Sequence, residues 1–410
     1  MSVRIVNNTS MATSAGPTII STTKATKATT HTAQSPVMIK TLSLQDYLTL
    51  ETRPQFLKDM RQSLIEIGTF YIKDHGVPTE LTRGAMKSIQ DFFAMPLEEK
   101  KKIVIGNSRH FRGYKVMGEE LTNNQVDHRE QLQFAPEQAT IDSFVPSVSP
   151  NYHGLQGPNQ WAPSTLALLP DFKPHILAYM DHLEILSQHL MEAVALSMNL
   201  KASYFRDLFG ADPYYRLKCA RYPSVERAAT IGCGAHKDTG FLTVLLQDMV
   251  GGLQGQDPAT GEWMDTRPIP DTFIVTMGHS IERLTDGLYH ATVHRVLNNT
   301  SGQDRYSIPF FFDPQLDATI PHRIALPRVD DSPLSSSSMQ VSLSEGSVSG
   351  EESGSDEELE RLVDELKIQP EEKVACLNGL QVEGWSNGDH IFETVHRCHP
   401  EVFSHWYSPA

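Results

Sequence analysis

Between Tyr214 and Asp313 the chain runs through short β-rich segments, and these limit the possible folds more strongly than any other part of the sequence. Gly, Pro and Asp residues separate the segments, as is typical of strands joined by tight turns. Strands at this interval predict a barrel or a sandwich of two sheets. In chain order the segments are YYRLKCARYP, GFLTVLLQD, GGLQGQD, EWMDTRP, TFIVTMG, YHATVHRVLN and RYSIPFFFD.

The preceding part of the chain predicts helices. Residues 54–67 form an amphipathic pattern that stops at Gly68 and leads into the strand TFYIK, and residues 81–95 form a second helix ended by Pro96. Within 173–209, apolar residues recur every three or four positions from Ile176 to Met198, which predicts one long, well-buried helix. The predicted fold class is therefore α+β, with an N-terminal α/β module before an all-β core.

Two segments differ in composition from this folded body. Residues 1–37 are rich in Thr, Ser and Ala, and residues 333–367 form a Ser-rich insert with nine acids against Arg361 and Lys367. Both contain too few large apolar side chains to offset the entropy cost of ordering, so we expect disorder. An organelle transit peptide is the alternative for the first segment. A regulatory role is the alternative for the second, and its end, at 358–367, predicts a short helix.

The formal net charge is −15, and without residues 1–45 (+4) and 333–367 (−7) the remaining chain carries about −12. Such a body repels nucleic acid and anionic membranes, so neither is an expected partner. The sequence contains no run of about 18 apolar residues, as a transmembrane helix would require. Its four cysteines form no C-x-x-C pair, which favours reduced thiols and a cytoplasmic location.

The first chemical motif is His236-Lys237-Asp238. Residues i and i+2 of a strand point to the same face, so an imidazole and a carboxylate can bind one ion. With 17 His and 50 acids in 410 residues, about two His-x-acid matches arise by chance, and a structural histidine is the simpler reading of any one match. A third ligand from the run YHATVHRVLN, either His290 or His294, would complete the two-His-one-carboxylate set typical of non-haem Fe(II) oxygenases.

A second motif, Arg305-Tyr306-Ser307, follows that run. Arg305 and Ser307 share a strand face and offer a guanidinium fork and a hydroxyl to a carboxylate. A metal triad followed by such a pair indicates a dicarboxylate cosubstrate held at both ends.

In these motifs the sequence resembles the isopenicillin N synthase-like family of Fe(II)/2-oxoglutarate oxygenases. The resemblance covers residues 38–328 and resumes at 385–407. Its N-terminal phrases are IGTFYIKDHGVP, FFAMPLEEKKKI, SRHFRGY and DHREQLQFAPE, and its core phrases are RYPS, HKDTGFLTVLLQD, GGLQ, IERLTDGLYHATVHRVLN and RYSIPFFFDP. It implies a double-stranded β-helix, or jelly-roll, core that holds the metal.

By position, the resemblance assigns iron ligation to His236, Asp238 and His294, whose His-Arg-Val neighbourhood distinguishes it from His290. It also assigns 2-oxoglutarate binding to Arg305 and Ser307, with Tyr222 as a further contact. The chain reads Ala220-Arg221-Tyr222 where many plant members have Asn-x-Tyr, so one cosubstrate contact is missing or replaced. The implied cofactors are Fe(II), 2-oxoglutarate and O2, with ascorbate as a supporting reductant.

The expected activity is oxidation, with hydroxylation as the default, of a small molecule in secondary metabolism by a monomeric enzyme. Candidate substrate contacts are Tyr114, Gln131, Gln133 and Phe311, which flank matched motifs or share a strand face with Arg305. The alternatives are an Fe(II)/O2 oxidase of the same fold that does not use 2-oxoglutarate, and a non-catalytic binding protein.

The predicted organisation has five parts. They are a disordered tract at 1–37, an N-terminal dioxygenase module at 38–170, a jelly-roll core with its preceding helix at 171–332, the acidic insert at 333–367 and a helical segment at 368–410.

Overall fold

The computed structural model describes residues 38–122, 125–145, 148–226, 231–326 and 384–407. The tract at 1–37, the acidic insert at 333–367 and the short helix predicted at 358–367 lie outside the described residues.

The strands are short and most of them follow the helical first part of the chain. They are β1 (Thr41–Ser43), β2 (Thr69–Lys73), β3 (Gly113–Lys115), β4 (Leu121–Thr122), β5 (Gln125–Val126), β6 (Glu130–Phe134), β7 (Tyr214–Tyr222), β8 (Cys233–His236), β9 (Leu242–Gln247), β10 (Leu253–Gln256), β11 (Trp263–Asp265), β12 (Phe273–Met277), β13 (His294–Val296), β14 (Arg305–Asp313), β15 (Thr319–Pro321) and β16 (Gly384–Ser386).

The helices lie mainly before β7 and after β16. They are α1 (Leu44–Leu48), α2 (Arg53–Glu66), α3 (Thr79–Ala94), α4 (Leu97–Lys100), α5 (Pro163–Leu168), α6 (Phe172–Ser197), α7 (Arg206–Phe209), α8 (His279–Leu284), α9 (Asn387–Cys398) and α10 (Pro400–Trp406), with 3-10 turns at Lys101–Ile103, Ile105–Asn107, Asn151–Leu155 and Ala202–Phe205.

Two sheets form the core. The larger has eight strands in the order β1-β2-β12-β9-β14-β7-β6-β3, and the smaller has four in the order β11-β10-β13-β8. Side chains from both sheets line one cavity between them. The predicted α+β class and two-sheet core are confirmed, and the N-terminal module contributes strands β1, β2, β3 and β6 to the larger sheet.

Strand alternation gives the larger sheet two different faces. Leu217, Val244 and Phe310 point to one face and are fully buried in the main hydrophobic core, together with the apolar side of α6. Their neighbours in sequence point to the other face, towards the smaller sheet, because successive side chains of a strand alternate. The second face is the one that supplies the cavity wall.

Helix α6 runs for 26 residues, from Phe172 to Ser197, and matches the long helix predicted from the apolar spacing. Ile176, Leu183 and Leu190 are completely buried on the side that packs against α2, α3 and the larger sheet. Full burial of each such side chain contributes about 1.5–3 kcal/mol to folding. This helix therefore supports the larger sheet from outside, opposite the cavity.

The described C-terminal residues pack against β15 and against the N-terminal half of the chain. Strand β16 pairs antiparallel with β15, and Ser386 caps helix α9 by accepting a hydrogen bond from the backbone N–H of Asp389 at 3.2 Å. Lys115 of β3 donates a hydrogen bond to the carbonyl of Cys398 at the end of α9. In the described ranges, no helix combines the length and apolar character that a membrane span requires.

Candidate active site

Two strands of the smaller sheet bring three side chains together. His236 ends β8 and pairs directly with His294, which begins β13, and the two ring centroids are 4.4 Å apart. Asp238 lies two residues beyond His236, and its Oδ1 is 3.8 Å from His236 Nε2 and 3.7 Å from His294 Nε2. One ligand atom from each of the three residues can be chosen so that all lie within 4.8 Å of one another.

Backbone carbonyls orient both imidazoles. Nδ1 of His236 lies 2.8 Å from the carbonyl of Gly234, and Nδ1 of His294 lies 3.0 Å from the carbonyl of Thr292. A carbonyl only accepts, so each Nδ1 carries the proton and each Nε2 keeps its lone pair. Both lone pairs are therefore available on the side where Asp238 lies.

The carboxylate of Asp238 is also fixed in place. Its Oδ2 accepts a hydrogen bond from the Thr243 hydroxyl at 2.7 Å, while Oδ1 faces the two imidazoles. Burial opposes ionisation, but His294, His236 and the Thr243 hydroxyl together hold the pKa of Asp238 below its usual value. Burial lowers the pKa of His294. The site thus holds a carboxylate that favours its ionised form beside two imidazole Nε2 atoms, and a metal ion binds to donors of these kinds.

The donor chemistry fits a ferrous ion. These two imidazole nitrogens and one carboxylate oxygen would hold the ion and would leave it able to bind a cosubstrate and O2. The two imidazoles make their hydrogen bonds to the backbone through Nδ1, so these bonds leave both Nε2 atoms available to an ion.

Arg305 lines the same cavity as the His-Asp-His cluster but lies on the larger sheet, and it is 1% exposed. One terminal nitrogen, Nη2, donates to Gln247 Oε1 at 3.1 Å, whereas Nε and Nη1 are buried and have no hydrogen-bond partner among the described residues. Leaving two donors of a buried guanidinium unsatisfied is costly. The arrangement is suited to a carboxylate that would accept from the guanidinium in the ligand-bound protein.

The other two residues predicted to contact the cosubstrate are beside Arg305. Tyr222 pairs with Arg305 across β7 and β14, and its ring centre is 5.0 Å from the Arg305 guanidinium carbon. Ser307 lies two residues further along β14 on the same face and also lines the cavity. All three residues thus border one end of the same space as the His-Asp-His cluster.

Only one of the four predicted substrate contacts lines the cavity, namely Phe311. The prediction that Tyr114 contacts the substrate is wrong. Tyr114 pairs with Leu132, is 1% exposed and donates a hydrogen bond from its hydroxyl to Glu130 on the face away from the cavity. Gln133 is tied to the carbonyl of Phe111 by a 2.7 Å hydrogen bond. On β14, strand alternation correctly placed Phe311 on the cavity side. A position beside a matched motif, as for Tyr114 and Gln133, did not place the side chain in the cavity lining.

Gln131 is buried at 1% exposure, and neither end of its side-chain amide has a hydrogen-bond partner in the part of the chain that the structure describes. It pairs with Ala220 and so shares the inner face of the sheet, although it does not itself line the cavity.

The alternative candidate from the same run lies elsewhere. His290 Nδ1 is 3.8 Å from Glu282 Oε1. It does not belong to the three-residue cluster found among the described residues. The structure therefore places His294, and not His290, opposite His236.

Polar residues at the site that the sequence motifs did not indicate include Thr243, Gln247, Arg129 and Lys218. Thr243 and Gln247 sit on the inner face of β9 and contact Asp238 and Arg305 respectively. Alternation in GFLTVLLQD could have indicated them, because Thr243, Leu245 and Gln247 pair with Phe311, Pro309 and Ser307 of β14. Arg129 and Lys218 line the cavity from other strands and loops, and only the packing of the sheets reveals this.

Comparison with known families identifies two matching models. Residues 39–164 match the model described as the non-haem dioxygenase N-terminal domain in morphine synthesis. Residues 212–314 match the 2-oxoglutarate/Fe(II) oxygenase superfamily model, which spans every residue of the His-Asp-His cluster and the Arg305 strand.

Similar proteins carry related names. A 1-aminocyclopropane-1-carboxylate oxidase of Dictyostelium discoideum is 34% identical over 312 residues, covering 68% of this chain and 83% of that protein. A 2-oxoglutarate-dependent dioxygenase, frbJ, of a Dothideomycetidae species is 37% identical over 275 residues, covering 66% and 72%. The crystal structure of a Neurospora crassa protein in complex with alpha-ketoglutarate and thymine aligns with a TM-score of 0.59 at 24% identity, covering 69% of this chain and 88% of that one, which establishes a shared fold.

Proposed function

Because this chain belongs to the Fe(II)/2-oxoglutarate-dependent dioxygenase family and is an enzyme of that class, we propose that His236, Asp238 and His294 hold its ferrous ion. We propose equally that Arg305 and Ser307 bind the far carboxylate of 2-oxoglutarate, with Tyr222 beside them. One observation supports both assignments: the three candidate ligands line the same cavity as Arg305, whose buried guanidinium has two nitrogens without a hydrogen-bond partner among the described residues.

When bound, Fe(II), O2 and 2-oxoglutarate supply the oxidising chemistry, with succinate and CO2 as the co-products. The chain's own residues position the reactants. The carbonyls of Gly234 and Thr292 fix the imidazole tautomers, and Thr243 fixes Asp238. Gln247 holds one end of the Arg305 guanidinium, so the two unpartnered nitrogens have a defined direction before the cosubstrate arrives.

The cavity wall also contains apolar side chains. Leu245, Leu253 and Ile274 lie between its polar groups and offer the substrate no hydrogen-bonding side chains. We propose that the substrate is a small organic molecule that is hydroxylated here, in secondary metabolism. The acidic body of the protein argues against nucleic-acid and anionic-membrane partners, and we propose a monomeric enzyme in the cytoplasm, where its cysteines would stay reduced.

The test is succinate formation by the purified protein with Fe(II), ascorbate and 2-oxoglutarate, which the family performs slowly even without the main substrate. We expect His236→Ala to eliminate it. Succinate formation that survives this substitution would reject the assignment of the metal site. Oxidation of a substrate without stoichiometric succinate would instead favour an oxidase that does not use 2-oxoglutarate.

A further inference from the structure

The charged residues that line the cavity are mostly cationic. Arg129, Lys218 and Arg305 all border it, whereas Asp238 is the one acidic residue among its described lining residues. Asp238 and Arg305 are assigned to the metal and to 2-oxoglutarate in the proposed function. The charges of Arg129 and Lys218 have no role in that assignment and need a separate explanation.

Arg129 has a close counterion outside the cavity. Its Nη2 lies 2.9 Å from Asp127 Oδ2, and Asp127 is completely buried. The Nη1 atom of Arg129 reaches the Tyr222 hydroxyl at 3.5 Å. The positive charge of Arg129 is therefore balanced within the protein, and the residue braces Tyr222 from behind.

Lys218 is less well balanced. In the described parts of the chain its nearest acidic atom is Glu120 Oε1 at 3.8 Å, which is beyond hydrogen-bond distance. Glu120 is shared, since its Oε2 is 3.4 Å from Lys115 and its Oε1 is 3.8 Å from Arg129. The four charges other than Lys218, from Lys115, Arg129, Glu120 and Asp127, already sum to zero.

A sixth charged residue, Glu401, lies 3.2 Å from Lys115 Nζ, and its side chain is 44% exposed. Water screens a half-exposed carboxylate, so Glu401 does little for the charge of Lys218 on the cavity side. Nearby His399 is fully buried, and burial lowers its pKa. Glu401 contacts Lys115 and not Lys218, so Lys218, whose nearest acidic atom among the described residues is 3.8 Å away, presents its positive charge to the cavity.

Lys218 and Arg305 serve different parts of the cavity. Arg305 pairs with Tyr222, and Lys218 lies four residues before Tyr222 on the same strand and the same face. At about 3.3 Å per residue, the two positions are roughly 13 Å apart along β7. This spacing favours an anion at Lys218 that is a separate group from the 2-oxoglutarate carboxylate at Arg305.

We propose that Lys218 binds the carboxylate of the substrate, which is therefore a small organic acid with an apolar body. This inference rests on the proposed function and adds the substrate class. The apolar body matches the wall formed by Leu245, Ile274 and Phe311. A carboxylate carries one negative charge and matches the single charge of the Lys218 ammonium, whereas a phosphate at neutral pH carries nearly two.

The test uses the Fe(II)-loaded enzyme at saturating 2-oxoglutarate, so that Arg305 is occupied. The probes are hexanoate, octanoate and 3-phenylpropanoate, each compared with its primary amide. Two quantities are measured: the rate of succinate formation above the probe-free rate, and the shift in Tm. We expect the acids to act at concentrations at least about tenfold lower than the amides, because charge-assisted hydrogen bonds outweigh neutral ones by that margin.

Three variants separate a binding role from a structural one. Lys218→Met removes the charge at similar volume and should raise the half-saturating acid concentration by about 10- to 100-fold, without changing the response to the amides. Lys218→Arg should retain most of the acid response. Lys87→Met, on the exposed side of α3 with a side chain 69% exposed, should behave as wild type.

The proposal is overturned if the amides act as well as the acids, if Lys218→Met keeps the acid response, or if the acids change neither quantity in the wild-type enzyme. A failure of the proposed function would look different. It would appear as an absence of succinate from the wild-type enzyme, or as succinate formation retained by His236→Ala.

Discussion

His236 and His294 are directly opposed across two antiparallel strands, although 57 residues separate them in the chain. Their rings lie 4.4 Å apart at the centroids and tilt by 54°. Strand pairing therefore sets the distance between the two imidazoles, and Asp238 needs only the two-residue step from His236 to join them. Substitutions at these residues and at their supporting contacts can test the arrangement.

The choice of His294 over His290 is directly testable. His294→Ala removes a donor from the three-residue cluster, so we expect loss of Fe(II) binding and of succinate formation. His290→Ala changes a side chain that contacts Glu282 and should retain most of both. Equilibrium Fe(II) binding and succinate formation are measured on the two variants. Equal losses in both would contradict the assignment.

Arg305→Ala should raise the KM for 2-oxoglutarate by about 10- to 100-fold, because a charge-assisted hydrogen bond to the cosubstrate is lost. Fe(II) affinity should change little, since Arg305 is not among the metal-ligand candidates. Steady-state kinetics at varied 2-oxoglutarate measures the effect. Arg397→Ala, on the exposed side of α9, is the matched control. An unchanged KM in Arg305→Ala would show that the cosubstrate carboxylate binds elsewhere.

Thr243→Val tests the support of the carboxylate ligand. It removes the 2.7 Å hydrogen bond to Asp238 Oδ2 and changes the side-chain volume very little. Loss of such a supporting contact commonly reduces metal affinity by about 10- to 100-fold. Competition with a metal chelator gives the affinity, and Thr394→Val on α9 controls for the substitution itself. If the two variants bind Fe(II) equally well, the Thr243 hydroxyl does not position Asp238.

His110 predicts a pH dependence of stability. Burial lowers its pKa to about 4, as do Arg112 and Arg109, against the opposing hydrogen bond to the Gly154 carbonyl. The folded protein thus binds this proton less readily than the unfolded chain does. The associated stability is fully present above about pH 6.5 and is lost as the pH falls from there towards 4, by about 3 kcal/mol in total.

Urea unfolding at several pH values between 7 and 4 measures this loss. His110→Gln cannot be protonated, so its free energy of unfolding should fall less steeply than that of the wild type across this range. His189→Gln, at a half-exposed position on α6, should follow the wild-type slope. Parallel curves for wild type and His110→Gln would show that His110 contributes nothing to acid unfolding.

Local patterns in the sequence were sufficient for the α+β class and for the His236/Asp238 and Arg305/Ser307 pairs, whereas the choice of His294 over His290 came from the family resemblance. The apolar spacing from Ile176 to Met198 predicted α6, since a helix that packs on a sheet must repeat its buried side every three or four residues. The step from His236 to Asp238 and that from Arg305 to Ser307 followed from strand alternation alone. In each case residues near in sequence determine the geometry.

Tertiary structure alone decided which of the remaining polar residues reach the cavity. Tyr114 and Lys218 both lie in strands beside recognisable motifs, yet Tyr114 faces away and Lys218 faces the cavity. Strand order, register and the stacking of two sheets determine that difference, and these depend on contacts between residues far apart in the chain. The sequence by itself determined the chemistry at the metal site, and the packing of the sheets determined what surrounds it.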